Sequence, residues 1–88
     1  MSKLKAVIID DEQPARDLVK LFLDAHEQIE LVAEAENGFE GAKIVNDLRP
    51  DLVFLDIQMP KIDGFEMLEL LDYRPQVIFC TAYDQFAI

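Results

Sequence analysis

The sequence predicts an α/β fold, a doubly wound parallel sheet with helices on both faces. Three apolar runs that are rich in β-branched or aromatic residues, and too short for helices, predict strands: Ala6–Ile9, Leu52–Leu55 and Val77–Cys80. Continuous rather than alternating hydrophobicity is typical of strands that are buried on both faces of a parallel sheet. Segments with helical periodicity separate the runs, and this alternation predicts right-handed crossovers between parallel strands.

The first helix is predicted after the first apolar run. Its apolar residues recur with the i, i+3, i+4, i+7 spacing of one helix face, at Leu18, Leu21, Phe22 and Ala25. Val19 and Leu23 widen this stripe beyond what one sheet face would cover. One explanation is that a further element packs against the helix. The other is that the stripe has no second partner, since long helices in small domains often have broad apolar stripes.

The remaining elements follow in chain order. Leu31–Ala35 is a fourth apolar run with a charge in its middle, which predicts an edge strand. The second helix repeats the helical spacing at Gly41, Ile44, Val45 and Leu48. A third, shorter helix is predicted from about Gly64 to Asp72, with Asp63 as its N-cap.

Two prolines and the last residues complete the pattern. Pro50 and Pro75 follow the second and third helices and are expected to end them. Residues 83–88 resemble the beginning of a fourth helix, so we expect the chain to be cut short.

Composition excludes several classes of function. The 8 basic and 18 acidic residues give a net charge of −10, which makes binding of nucleic acid or anionic lipid by these 88 residues improbable. The one cysteine, Cys80, allows neither an internal disulfide nor a paired-cysteine zinc site. The first apolar run is too short for a signal core or a membrane span. We therefore expect a soluble protein of the cytoplasm.

Polar residues follow three of the predicted strands. Asp10 and Asp11 come directly after the first, Asp56 after the third, and Thr81 after the fourth. Functional groups gather beyond the carboxyl ends of parallel strands, so the aspartates are expected to converge if the first and third strands are neighbours. Clustered carboxylates repel one another unless a cation compensates them, and Mg²⁺ prefers oxygen ligands. The pattern indicates a phosphoryl-transfer site.

Several polar residues also have a purely structural interpretation. An aspartate after a strand is common as a turn residue or helix N-cap, so Asp10 or Asp11 could simply begin the first helix, with Pro14 in its first turn. His26 is expected to interact with the end of the first helix, and Cys80 to pack in the core. Lys61 is expected to be solvated surface.

Three segments together resemble a known family. Residues 8–12 read Ile-Ile-Asp-Asp-Glu, residues 55–64 read Leu-Asp-Ile-Gln-Met-Pro-Lys-Ile-Asp-Gly, and residues 79–82 read Phe-Cys-Thr-Ala. In this order and at this spacing they resemble a response-regulator receiver domain of two-component signalling. Residues 13–16 and 81–88 further resemble receivers attached to LytTR-type DNA-binding domains.

The resemblance implies a fold and a set of roles. The fold is flavodoxin-like (CheY-like), with strand order 2-1-3-4. Asp56 would accept a phosphoryl group from a phosphohistidine of a sensor histidine kinase. Asp11, Asp56 and the backbone carbonyl of Gln58 would hold Mg²⁺, and Asp10 would support the ion through water. Thr81 would be the switch residue that hydrogen-bonds a phosphoryl oxygen. Two loop residues would shape the site, Met59 and Pro60.

The chain also departs from this family. Domain 1–88 would be an incomplete receiver that lacks most of the fourth helix, the fifth strand with its phosphoryl-contacting lysine, and the fifth helix. Apolar surface uncovered in this way predicts self-association or exchange of elements between copies. A DNA-binding output domain is implied only for a longer protein.

Two other functions stay open on the sequence alone. The chain could be an interaction or dimerisation fragment without a working switch. It could also be a Mg²⁺-dependent phosphatase with an aspartyl nucleophile, but such enzymes have two aspartates separated by one residue after the first strand, whereas Asp10 and Asp11 are adjacent. We expect a phosphoacceptor and not an enzyme.

Overall fold

Strands and helices alternate throughout the computed structural model, which describes residues 3–80. The strands are β1 (Leu4–Ile9), β2 (Ile29–Ala35), β3 (Leu52–Leu55) and β4 (Gln76–Phe79). The helices are α1 (Gln13–Asp24), α2 (Gly38–Leu48) and α3 (Gly64–Leu68). No helix among the described residues is long and apolar enough to cross a membrane.

The strands form one parallel sheet in the order β2-β1-β3-β4. This order and the intervening helices confirm the predicted flavodoxin-like fold. In the register of the sheet, Ile9 at the end of β1 pairs with both Ala35 of β2 and Leu55 of β3. Three strands therefore end at the same level, and the residues that follow them begin beside one another.

The core lies on both faces of the sheet, because successive residues of a strand point to opposite sides. On the face covered by α2 and α3, Val7 and Ile9 of β1 pack with Val45 and Met67. On the opposite face, Ala6 and Ile8 pack with Leu23 of α1. The central strand β1 is buried at all four of these positions, which explains its continuous apolar run.

The structure corrects the prediction of which face of α1 packs against the sheet. Leu18, Leu21 and Phe22 were expected on one packed stripe, but they are 68%, 67% and 55% exposed. The residues that face the sheet are instead Val19 and Leu23, which pack with buried residues of β1 and β3. The apolar side of the helix is wider than one stripe, so the spacing alone did not indicate which stripe contacts the sheet.

Both outer strands of the described sheet differ from the buried centre. β2 is an edge strand, as its internal charge predicted. β4 forms the other edge of the described sheet, as the predicted strand order 2-1-3-4 requires. It was also expected to be buried on both faces, but Ile78 and Phe79 are 41% and 40% exposed. The predicted self-association would cover such surface and stays a prediction. The predicted start of a fourth helix, in residues 83–88, lies outside the described residues.

The third helix is shorter than predicted and ends at Leu68 instead of near Asp72. Its N-terminus follows the prediction, because the Asp63 carboxylate accepts a hydrogen bond from the Glu66 backbone N–H at 2.8 Å. The Glu66 carboxylate in turn accepts from the Asp63 backbone N–H at 2.9 Å. This reciprocal capping box satisfies two amide groups at the start of the helix.

Loss of this cap is expected to destabilise the fold. Replacing Asp63 by alanine leaves the Glu66 amide without its acceptor, so we expect the free energy of unfolding to fall by about 1 kcal/mol. Urea denaturation followed by circular dichroism measures the change. Asp63→Ser is the matched control, because a serine hydroxyl can accept the same hydrogen bond, and it should lie close to the wild type. Equal stability of the alanine variant and the wild type would contradict this role of Asp63.

Candidate functional site

Three carboxylates meet where β1 and β3 end. Asp10 follows β1, Asp56 follows β3, and one oxygen from each of Asp10, Asp11 and Asp56 lies within 4.8 Å of the others. The sheet positions them, since the Asp56 backbone N–H donates to the Ile9 carbonyl at 2.9 Å. The predicted convergence of these aspartates is confirmed.

Asp10 also shapes the turn into α1. Its carboxylate accepts a hydrogen bond from the Glu12 backbone N–H at 2.9 Å, and its own N–H donates to the Ala35 carbonyl at 3.1 Å. Glu12 occupies the N-cap position of α1 without a side-chain capping bond, and Pro14 lies in the first turn. The Asp10 carboxylate therefore belongs both to the turn before α1 and to the acidic cluster. The expectation that Asp10 or Asp11 caps the first helix is wrong, because the N-cap is Glu12.

The cluster is electrostatically strained. Asp10 and Asp56 are buried, at 7% and 8% exposure, whereas Asp11 is exposed. Burial, and then the nearby charge of Asp10, raise the pKa of Asp56 to about 6, although the Gln58 backbone N–H, which donates to this carboxylate, opposes the shift. Burial also raises the pKa of Asp10, and the Glu12 N–H and Arg16 oppose it. The carboxylates of Asp10 and Asp56 therefore lie in surroundings that disfavour their charged forms.

These residues fit a divalent cation bound through oxygen. Three carboxylate oxygens so close together suit Mg²⁺, which takes one or two carboxylates and keeps several of its waters. The same ion would favour the ionised carboxylates of Asp10 and Asp56, which burial and, to a smaller extent, mutual repulsion disfavour. The acidic cluster can thus hold a metal ion.

The neighbouring loop contains the other predicted site residues. Gln58 and Pro60 are exposed, and Met59 is half-buried against the core on the α2 and α3 face. Lys61 is exposed, as predicted, and has a left-handed backbone with φ of 74°. The predicted switch residue Thr81 lies outside the described residues.

Two residues with structural expectations behave as predicted. The His26 ring nitrogen Nδ1 lies 3.0 Å from the Phe22 carbonyl oxygen at the end of α1. Its ring also stacks on Phe22, with centroids 4.5 Å apart. Cys80 is half-buried and packs against the core on the α1 face, while its N–H donates to the Leu55 carbonyl at 2.8 Å.

Sequence reasoning did not indicate that Arg16 contacts the turn beside the acidic cluster. This side chain is buried, at 7% exposure, and lies between the end of β1 and the edge strand β2. A charged residue on a helix is usually read as solvated surface. The available signal was its position on the same helix face as Val19 and Leu23, three and seven residues further along.

Comparison of the sequence with known proteins identifies the family that this chain resembles. The sequence profile of the response regulator receiver domain matches residues 6–88. Transcriptional regulatory protein BtsR of Escherichia coli K12 is 48% identical over 87 residues, which cover 97% of this chain and 36% of that protein. An uncharacterized response regulatory protein of Vibrio parahaemolyticus is 52% identical over 87 residues, with 97% and 36% covered. The chain spans about a third of the length of these relatives.

Solved structures lead to the same family. The receiver domain of AraT, a response regulator from Geobacillus stearothermophilus, is 35% identical, with a TM-score of 0.79 and 96% of this chain and 68% of that chain covered. The response regulator domain of Thermotoga maritima CheB is 28% identical, with a TM-score of 0.82 and coverage of 91% and 61%. By its sequence profile, its strand order and these relatives, the chain belongs to the response regulator receiver domain family.

Proposed function

We propose that this chain accepts a phosphoryl group on Asp56 from a phosphohistidine of a sensor histidine kinase, in a Mg²⁺-dependent step. The observation that carries the proposal is the meeting of the Asp10, Asp11 and Asp56 carboxylates within 4.8 Å at the ends of β1 and β3. Membership of the receiver family supports the same role. The chain would act as an acceptor without turnover of its own, and not as an enzyme.

Asp56 is the proposed nucleophile. One carboxylate oxygen forms a bond to phosphorus while the bond between phosphorus and the kinase imidazole nitrogen breaks, and the leaving imidazole takes up a proton. The nucleophile must be ionised, and with its pKa at about 6 the Asp56 carboxylate is largely ionised at neutral pH. The nearby Gln58 backbone N–H favours the ionised form of this carboxylate, because it lowers the pKa of Asp56.

The surrounding residues are proposed to bind the metal ion and to orient the reaction. Asp11, Asp56 and the backbone carbonyl of Gln58 would be ligands, and Asp10 would act through a bound water. When bound, Mg²⁺ neutralises charge on the phosphoryl oxygens and aligns them for in-line transfer. Met59 and Pro60 would shape the loop over the site.

The output is proposed to be a changed protein interface. An aspartyl phosphate adds negative charge and strong acceptor oxygens, which the Thr81 hydroxyl would engage as the switch residue. The role of Thr81 rests on its place in the sequence after Cys80. In a longer protein the receiver would control a LytTR-type DNA-binding domain in the cytoplasm, and the relatives named transcriptional regulatory protein support this extension.

Intact mass spectrometry tests the acceptor role. We expect the chain, incubated with Mg²⁺ and acetyl phosphate, to gain the mass of one phosphoryl group, and Asp56→Ala to gain none. Omission of Mg²⁺ should abolish the gain in the wild type. Asp47→Ala, which removes an exposed carboxylate of α2 far from the cluster, is the control and should be labelled like the wild type. A folded chain that gains no mass would instead favour the interaction-fragment alternative, and label that persists in Asp56→Ala would place the acceptor elsewhere.

The phosphatase alternative predicts a different result. Steady hydrolysis of a phosphate monoester by the purified chain, lost in Asp10→Asn, would support an enzyme. The adjacency of Asp10 and Asp11 argues against it.

A further inference from the structure

We propose that Arg16 is a positioning residue for the acidic cluster: its guanidinium holds the backbone of the turn that carries Asp11. This inference rests on the proposed function, because it concerns the same metal-binding carboxylates. Arg16 lies on α1, is 7% exposed and is not a member of the cluster.

The guanidinium uses all three of its nitrogens. Nη1 donates to the Asp10 carbonyl oxygen at 2.6 Å, Nη2 donates to the Gln13 side-chain oxygen at 2.6 Å, and Nε donates to Glu34 of β2 at 2.9 Å. Glu34 is itself contacted from the outer side by Lys20, at 2.7 Å. Arg16 thus links α1, the end of β1 and the edge strand β2 through one rigid, planar group.

The Asp10 carbonyl oxygen, which accepts from Arg16 Nη1, indicates which part of the backbone Arg16 holds in place. The Asp10 carbonyl belongs to the same peptide group as the Asp11 N–H, so a hydrogen bond to it fixes the peptide plane from which Asp11 begins. The Asp10 N–H is bound to Ala35, and its carboxylate is bound to the Glu12 N–H. The Asp11 side chain is exposed, so its direction toward Asp56 depends on the backbone that carries it.

Stability alone does not account for this buried charge. Removing a guanidinium from water is costly, and a well-packed apolar side chain at such a position is often as stable as the ion pair. Outer groups that orient metal ligands commonly contribute tenfold or more to metal binding, and Arg16 would act comparably through the backbone carbonyl beside Asp11.

Positioning and simple charge make opposite predictions, which gives a sharp test. A positive charge near the cluster repels a divalent cation, so loss of that charge alone would strengthen Mg²⁺ binding. Loss of positioning would weaken it, because Asp11 would no longer be held toward Asp56. The sign of the change in Mg²⁺ affinity therefore separates the two roles.

The experiment measures the Mg²⁺ dissociation constant by isothermal titration calorimetry at neutral pH. We expect Arg16→Met to weaken binding by about tenfold. Lys20→Met is the matched control, since it removes the same charge from the other side of Glu34, and its affinity should stay within about twofold of the wild type. Arg16→Lys keeps the charge but loses the planar fork, so its affinity should stay reduced. Equal or tighter binding by Arg16→Met would overturn the proposal.

A second measurement needs no metal. Amide hydrogen exchange in the metal-free chain should be faster at Asp11 and Glu12 in Arg16→Met than in the wild type, with the amides of β1 unchanged. If Arg16→Met does not fold, the same two measurements on Arg16→Lys decide the question. Unchanged exchange at Asp11 and Glu12 in a folded variant would also overturn the proposal. A wild-type chain that does not bind Mg²⁺ would refute the proposed function, while the exchange measurement would still test the role of Arg16.

Discussion

Replacing Gly64 by alanine is expected to lower the free energy of unfolding by about 3 kcal/mol and to weaken Mg²⁺ binding. A Cβ atom at this position would lie 2.6 Å from the Asp56 carbonyl oxygen and 3.1 Å from the Ile57 Cα. Both are backbone atoms, and they cannot move without shifting the end of β3. The Gly64 N–H also donates to the Ile57 carbonyl at 2.7 Å, which holds α3 against this segment.

Urea denaturation and Mg²⁺ calorimetry together check this expectation. Gly38→Ala is the control, because the two nearest atoms to its Cβ would belong to a side chain and not to the backbone: Ile62 Cγ1 at 2.6 Å and Cδ1 at 2.8 Å. We expect the stability of that variant to lie within about 1 kcal/mol of the wild type. Wild-type stability and metal affinity in Gly64→Ala would mean that the segment around Asp56 adjusts freely.

Replacing Asp56 by asparagine is expected to stabilise the metal-free chain at neutral pH by about 1 kcal/mol, after allowance for solvent screening. The pKa of Asp56 is raised in the folded chain, from 3.8 to about 6, so the folded state disfavours the ionised carboxylate. As the pH rises from about 4 to about 6, the unfolded chain releases this proton first and the folded chain loses stability. Asparagine carries no such charge and avoids this loss.

The pH dependence and the metal dependence both check the assignment. Thermal unfolding of wild type and Asp56→Asn should coincide near pH 4, diverge up to about pH 6 and stay separated above it. Added Mg²⁺ should raise the melting temperature of the wild type more than that of the variant, because the wild type offers the ion a further ligand. Asp51→Asn, at an exposed carboxylate that accepts from the Lys5 N–H at the opposite end of the sheet, is the control for Mg²⁺ and should respond like the wild type. A separation that is independent of pH would contradict the strained carboxylate at position 56.

The acidic cluster was predictable because it follows from local pattern and topology together. Continuous apolar runs identified β1 and β3, and the carboxyl ends of neighbouring parallel strands must share one edge. Asp10 and Asp56 directly follow those runs, so their convergence required only that the first and third strands be neighbours, which the family resemblance implied. The capping of α3 by Asp63 was predictable for a similar reason, since the cap involves residues only three positions apart.

The packing face of α1 and the role of Arg16 were not predictable in this way. The helix presents apolar residues on several sides, so periodicity alone indicated the stripe with Leu18 and Leu21, both of which are exposed. Which side meets the sheet depends on how the crossover places the helix over β1 and β3. Besides the nearby Gln13 side chain, Arg16 is bound by Glu34, which is distant in the chain, and by the Asp10 backbone carbonyl, and no local pattern indicates these two partners.

The sequence alone determined where charged residues stand, and the tertiary structure determined how deeply they are buried. Residue order alone determined which strands form, where they end and which carboxylates follow them, because these properties depend on side-chain type and on periodicity over a few residues. The depth at which Asp56 is buried, its raised pKa and the anchoring of Asp10 by Arg16 required the assembled sheet and helix. Desolvation and hydrogen bonding depend on atoms brought together from distant parts of the chain, and only the folded arrangement supplies them.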